Sequence, residues 1–408
     1  MKNQPPATLL NRTQEHIHLA ETFGAHNYHP LPIVIERGQR IWVWDVEGKR
    51  YMDCLSAYSA LNQGHCHPRL VAVAKQQVEK LTLTSRAFHN DRMGSFLQEL
   101  AQLCRMEMVL PMNSGAEAVE TAIKAARKWG YTKKGVEADK AEIIVFENNF
   151  HGRTTTIVGF SSEPQYRAGF GPFTPGFRIV PYGDLEAVRA AVGPNTVGVL
   201  VEPIQGEAGV VVPPAGFLRA LRELCTAERV LLIADEIQTG LGRTGRLFCC
   251  EYEDVQPDMY IVGKALGGGF YPVSAVVAGQ EILGVFQPGD HGSTFGGNPF
   301  ACALAQEALR IIVEEKLSER AQEMGAYFMS RLREISSPHV REVRGKGLLI
   351  GVELKAESGP ARPFCEKLME KGLLCKETHQ QVIRFAPPLV IEREEIDWAI
   401  SRVQEVLA

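Results

Sequence analysis

Along the chain, short runs that are apolar throughout alternate with stretches whose apolar residues recur every three or four positions. Residues 142–147 (EIIVFE), 197–202 (VGVLVE), 229–235 (RVLLIAD), 259–262 (MYIV) and 273–278 (VSAVVA) have the length and β-branched content of strands. Nearly unbroken apolarity is what a strand covered on both faces needs. Between them, residues 116–129 and 214–228 read as helices, the second with Phe217, Leu218, Leu221 and Leu224 on one face. Strands and helices alternating at this spacing predict an α/β fold on a largely parallel sheet.

The ends of the chain read differently. Residues 33–37, 40–45 and 49–55, separated by Gly38 and Gly48, predict a small antiparallel meander outside the main sheet. Beyond residue 312 the pattern is mixed again, with helices over 318–335, 362–371 and 393–406 and strands over 347–354 and 382–385. The expected division is an N-terminal segment 1–65, a large domain 66–312 and a small C-terminal domain 313–408, the two terminal pieces together facing the large domain across a cleft. A length of 408 residues fits two or three cores.

Composition narrows the function. Lys and Arg total 44 against 48 Asp and Glu, a net charge of −4, so there is no basic field for nucleic acid. At 45% hydrophobic and 23% charged, the chain can bury a large core. No run approaches the roughly 20 apolar residues of a membrane span. The opening MKNQPPATLLNRTQEH has neither an apolar nor an Arg-rich targeting pattern, so no signal or transit peptide is expected. Nine cysteines, an odd number without CxxC pairs, point to free thiols in a reducing cytoplasm. His65, Cys66 and His67 lack a nearby fourth ligand and read as packing or a pocket edge, not as a metal site.

Gly240-Leu241-Gly242-Arg243-Thr244-Gly245 matches the dinucleotide-binding pattern. It is displaced from the preceding strand, however, and no helical stripe follows, so it reads as a flexible glycine turn. Four other features converge. Asn113-Ser114-Gly115-Ala116 opens a helix, where free N–H groups and the positive helix end can hold a phosphate; Ser114 as an ordinary N-cap is the plainer alternative. Asp235 ends a buried apolar strand, a costly place for an acid unless it meets a cation such as a protonated pyridine nitrogen, although a capped loop start would also put an Asp there. Lys264 precedes Gly267-Gly268-Gly269; a desolvated amine beside glycines can react with a carbonyl on a bulky planar group, and a solvated surface lysine is the alternative. Phe150-His151-Gly152-Arg153 offers an aromatic face and a guanidinium able to grip a carboxylate. Together these features describe one site: phosphate cup, pyridinium partner, reactive amine, stacking ring and carboxylate clamp.

Further motifs run in order along the chain: GAHNYHP (24–30), WDVEGKRYMD (44–53), NQGHCHP (62–68), LTLTSRAF (81–88), VEPIQGEAGVVVP (201–213), IADEIQTGLGRTG (233–245), GKALGGGFYPVSAV (263–276), HGSTFGGNP (291–299), VRGKGLL (343–349) and IRFAPPLVI (383–391). With them the chain resembles the class III aminotransferases. The resemblance implies fold type I, with a large domain on a mainly parallel seven-stranded sheet and a small α+β terminal domain, and pyridoxal 5'-phosphate (PLP) as cofactor. It implies that Lys264 binds the cofactor and moves protons, that Asp235 pairs with the ring nitrogen, and that Gln238 bonds the ring hydroxyl. Ile237 and Phe150 are implied to pack on opposite faces of the ring. His151, also at the cofactor, departs from members with a bulky aromatic at its position. Ser114, Gly115 and Ala116 are implied to hold the phosphate, joined by Thr294 from the neighbouring subunit of at least a homodimer, and Ser293 is implied to lie among the cofactor-binding residues.

The same resemblance points to members that act on L-ornithine. In these, Arg153 binds the α-carboxylate of ornithine, Tyr28 its α-amino group, and Tyr58 narrows the pocket. Arg384 grips the α-carboxylate of glutamate or 2-oxoglutarate, Glu207 masks that arginine when ornithine is bound, and Glu202 is placed with the substrate residues. An exposed arginine beside the lysine would draw an α-amino acid into the wrong register, and a paired carboxylate neutralises it. Read from the residues alone, Tyr28 and Tyr58 also fit core aromatics, and Glu207 with Arg384 a structural ion pair. The expectation is transfer of the δ-amino group of L-ornithine to 2-oxoglutarate. The alternatives are another ω-amino donor (acetylornithine, 4-aminobutyrate or lysine) and a noncatalytic binding protein of the same fold.

Overall fold

The computed structural model describes residues 10–408; the first nine residues, part of the opening stretch considered above for targeting, lie outside that range. Among the described residues the main sheet has seven strands, in the order Met108–Met112, Ser274–Ala278, Met259–Val262, Leu231–Asp235, Thr196–Val201, Glu142–Phe146 and Phe177–Val180. All pairings are parallel except the two made by Ser274–Ala278, which runs against both neighbours. The five strands expected from the sequence are all members. The two outermost were not legible: Met108–Met112 contains Pro111, and Phe177–Val180 exposes Arg178 and Ile179, so neither shows an unbroken apolar run.

The pleat divides each strand between two layers. Ile143, Val145, Ile233, Ile261 and Val276 pack with Ala118, Val119, Ala122 and Ala126 of the helix Gly115–Trp129. Their alternates Ile144, Phe146, Leu232, Ala234 and Val262 join the layer of Phe217, Leu218, Leu221 and Leu224 from the helix Phe217–Ala227. Cover on both sides is why these strands carry almost no polar alternates.

A second, antiparallel sheet orders Val340–Lys346, Leu349–Leu354, Val382–Phe385 and Lys376–Thr378, with the helix Leu317–Glu334 against its first strand. The meander Ile35–Gln39, Trp42–Asp45 and Arg50–Asp53 is antiparallel as expected. It gains a fourth strand from the far end of the chain, Leu373–Leu374, parallel to Arg50–Asp53. No described helix is long and apolar enough to cross a membrane.

The glycine turn at 240–245 is not the flexible element expected. Arg243 and Thr244 are fully buried. The Arg243 guanidinium donates to the Asn62 side-chain oxygen at 2.6 Å, to the Leu348 carbonyl at 3.0 Å and to the Pro387 carbonyl, while Asn62 Nδ2 donates to the Leu241 carbonyl at 2.9 Å. Gly242 and Gly245, at φ of 92° and 94°, make the turn tight. The turn therefore ties together three distant stretches of chain.

Candidate active site

The chemistry gathers at one edge of the main sheet. Lys264 follows Met259–Val262, Asp235 closes Leu231–Asp235, Glu202 follows Thr196–Val201, and Phe150 and His151 lie beyond Glu142–Phe146. The carboxyl ends of strands in an open α/β sheet are where ligands bind. There the chain encloses a cavity of roughly 200 Å³ whose lining includes Gly115, Ala116, Phe150, His151, Glu202, Glu207, Asp235, Ile237, Gln238 and Lys264.

At one end lies the start of the helix Gly115–Trp129. Ser114 Oγ accepts from the Glu117 N–H at 3.2 Å, and the Glu117 carboxylate accepts from the Ser114 N–H at 2.6 Å, forming a capping box. The hydroxyl of Ser114 thus does the ordinary capping work. Gly115 and Ala116 line the cavity with first-turn N–H groups, which have no partner inside a helix. A Cβ on Gly115 would lie 3.0 Å from Ile237 Cδ1, so glycine keeps this wall thin.

Asp235 is buried. Its Oδ2 meets His151 Nδ1 at 2.7 Å and its Oδ1 accepts from the Ile237 N–H at 3.1 Å. Burial pulls the His151 pKa down, but the hydrogen bond and charge of Asp235 outweigh it, and the imidazole titrates above its ordinary value. His151 is therefore the partner of the aspartate rather than a stacking ring, and Phe150 and Ile237 remain the apolar walls. Glu202, expected among the substrate residues, accepts from the Phe150 N–H at 3.0 Å close to His151 and Asp235, because its strand neighbours Leu231–Asp235. Burial pushes its carboxyl up to about 8, with the Asp235 charge adding to the shift and His151 opposing it.

The Lys264 backbone is left-handed, φ 45°, and its amine makes no ion pair or hydrogen bond with the described residues. Burial lowers its pKa against the pull of Glu207 and Asp235, which favours the neutral, reactive form. The glycines beyond it are needed for close approach: a Cβ on Gly268 would fall 2.7 Å from a Leu70 methyl, and one on Gly269 2.2 Å from a Leu61 methyl.

Glu207 Oε1 meets Arg384 Nη1 at 2.6 Å and accepts from Gln238 Nε2 at 3.1 Å. Burial works against the Glu207 carboxylate, but Arg384 more than compensates and holds its pKa below the ordinary range. The Glu207 loop is anchored from outside: Thr378 Oγ1 donates to the Glu207 carbonyl at 2.6 Å, and Arg344 Nη2 to the Gly209 carbonyl at 2.6 Å. Tyr58 stands with its ring 5.5 Å from the Arg384 guanidinium, and its carbonyl accepts from Gln238 Nε2 at 3.4 Å.

Other expected residues do not line the cavity within one chain. Tyr28 is 71% exposed and Arg153 is exposed. Ser293 Oγ accepts from Asn113 Nδ2 at 3.1 Å, and Thr294 is exposed. His65 pairs with Asp53 at 2.8 Å and His67 with Glu315 at 3.2 Å; with Cys66 they edge a surface cavity, and no group of three metal-ligating side chains occurs among the described residues. Ile204 and Thr239 also line the main cavity; sequence reasoning missed them, although both sit inside the quoted motifs.

An acid at a strand end, an unpartnered, half-buried amine and an open helix N-terminus around one cavity define a class of enzyme, and the chain belongs to it. It is a member of the class III aminotransferases, amino-group transferases of fold type I: the model described as "Aminotransferase class-III" matches residues 23–407. Among its relatives, the ornithine aminotransferase of Geobacillus sp. (strain WCH70) is 60% identical over 399 residues, spanning 98% of this chain and all of that protein. The structure of the ornithine aminotransferase from Toxoplasma gondii, described with PLP at its active site, has a TM-score of 0.96 at 45% identity, covering 97% of this chain and 94% of that one. An acetylornithine aminotransferase from Elizabethkingia anophelis is similar at 48% identity and a TM-score of 0.88, covering 98% of this chain and 99% of its own.

Proposed function

We propose that the protein transfers the δ-amino group of L-ornithine to 2-oxoglutarate with PLP as cofactor. The products are glutamate and glutamate 5-semialdehyde, which cyclises to pyrroline-5-carboxylate. The observation that carries this reading is the pairing of half-buried Glu207 with buried Arg384 beside an unpartnered Lys264: it masks an arginine that would favour an α-amino acid donor. The cavity residues fit the cofactor. Open amides at Gly115 and Ala116 suit a phosphate, Asp235 suits a ring nitrogen, Phe150 and Ile237 offer two apolar faces, and Lys264 has no competing partner.

When bound, PLP supplies an electron sink for the carbon that bears the reacting amine. Lys264 Nζ, kept toward its neutral form by burial, would take the proton from the δ-carbon of ornithine as general base and, as general acid, deliver it to the cofactor's carbonyl carbon, not back to the δ-carbon. Asp235, oriented by His151, would keep the ring nitrogen protonated. Gln238, which lines the cavity, would bond the ring hydroxyl. Arg153 and Tyr28 receive the α-carboxylate and α-amino group of ornithine, and Tyr58 narrows the path. For the return half-reaction Glu207 turns away and Arg384 receives the α-carboxylate of 2-oxoglutarate. Exposure of Thr294 on its own chain supports a homodimer in which it completes the partner's phosphate site, and nine free cysteines support a reducing cytoplasm.

A panel of amino donors with 2-oxoglutarate, trapping pyrroline-5-carboxylate, tests the reading; ornithine is expected to give the highest kcat/KM. The likeness to an acetylornithine aminotransferase favours one rival. A higher kcat/KM for N-acetylornithine, which lacks the cationic α-amine, would replace ornithine as the donor.

A further inference from the structure

Arg153 forms no ion pair or hydrogen bond with the described residues; what seats it is aromatic. Its guanidinium carbon lies 3.9 Å from the centre of the Tyr166 ring and 5.6 Å from that of Phe150. The two rings meet edge to face, with centroids 6.2 Å apart and planes at 78°. Phe150 lines the catalytic cavity, so one side of this aromatic corner is a wall of the site and the other is the seat of the arginine. Tyr166 is itself fixed. It lies in the short helix Pro164–Arg167, where the Glu163 side chain accepts from the Gln165 N–H at 3.3 Å and the Glu163 carbonyl accepts from the Tyr166 N–H at 3.1 Å. Tyr166 is half-buried and its hydroxyl forms no hydrogen bond with the described residues, so its contribution lies in the ring face.

We infer that Tyr166 is a positioning residue that holds the Arg153 guanidinium at the cavity mouth, ready for the carboxylate at the far end of the amine donor. The inference rests on the proposed role of Arg153 as the ornithine clamp. Stacking on a ring engages the face of a guanidinium and leaves its in-plane N–H groups free. An acidic partner would occupy those same N–H groups, as Glu207 does at Arg384. A ring thus orders the arginine without masking it, which lowers the ordering cost that falls due when substrate binds.

The test compares L-ornithine with 1,4-diaminobutane, which is ornithine without its carboxylate, on holoenzyme with 2-oxoglutarate as acceptor. The diamine is read as kcat/KM if it turns over and as a competitive inhibition constant if it does not. Tyr166→Leu and Tyr166→Gln are expected to lower kcat/KM for ornithine by roughly three- to ten-fold, chiefly through KM, with the diamine changed by less than about two-fold. Tyr166→Phe should keep the wild-type ratio. Equal losses on both donors, or no loss in Tyr166→Leu and Tyr166→Gln while Arg153→Gln selectively impairs ornithine, would overturn the positioning role. If Arg153→Gln leaves the ratio of the two donors unchanged, the clamp reading itself falls, and the inference with it.

Discussion

Asp235 has two carboxylate oxygens, and the protein engages both: Oδ1 takes the Ile237 N–H and Oδ2 the His151 imidazole. The protein itself thereby fixes the direction of the acid, which is what a preorganised site requires. The neighbouring Glu202 has a testable consequence for stability. Its carboxyl titrates at about 8 in the folded protein against an ordinary 4.5, so between those values the unfolded chain releases its proton first and the folded state loses ground as pH rises. His151 acts in the same direction: its stabilising contact is complete below its ordinary pKa and is lost as pH rises through the elevated one. Tm is therefore expected to fall from about pH 4.5 to 8, and Glu202→Gln to flatten that fall; an unaltered slope in the variant would show that the burial of this acid is not its source. The aspartate and the lysine were legible from sequence because a strand end and a glycine run announce them. The partnership of His151 with Asp235 was not, since 84 positions separate the two and only the sheet order brings them together.

At the scale of single elements, the turn Ser56–Ser59 stands out. Ser56, Ala57, Tyr58 and Ser59 have φ of 51°, 47°, 60° and 72°, four consecutive residues in the left-handed region and none of them glycine. Each costs about 1–2 kcal/mol relative to the right-handed form. Asp53 Oδ1 holds the entry by accepting from the Leu55 and Ser56 N–H groups at 2.9 and 2.8 Å. The reward is the placement of Tyr58 against Arg384. Ala57→Gly should relieve strain and stabilise the fold by about 0.5–1 kcal/mol, read as a higher urea midpoint at unchanged m-value. A lower midpoint would mean that the turn is held by contacts of the Ala57 methyl group. This element also explains why the expected strand 49–55 stops at Asp53. SAYS contains none of the residues that usually signal positive φ, whereas the strands of the main sheet declare themselves through unbroken apolar runs.

Across the whole molecule, Arg243 joins stretches of chain around residues 62, 348 and 387 from a turn near residue 241. Its pattern reads as a loose loop because every partner is remote in sequence. Arg243→Met should strand three buried acceptors and destabilise the protein by about 3 kcal/mol or more, seen as a lower Tm with the chemistry of Lys264 intact in the surviving fold. Subunit sharing is testable at the same scale. If Thr294 serves the partner's site, mixed dimers of Lys264→Ala and Thr294→Ala subunits place both defects in one site and leave the other whole. Such dimers should show about half of native activity per dimer, whereas sites confined to one chain would give only about half of the residual rate of the Thr294→Ala dimer. The mooring of the Glu207 loop bears on how two unlike substrates share one site. Thr378 and Arg344 grip its backbone carbonyls, so the unmasking of Arg384 proposed for Glu207 would need only rotation about that side chain's own bonds. Alternation between a diamino acid and a dicarboxylate would then proceed at the pace of rotamer exchange, with the surrounding protein stiff through both halves of the cycle.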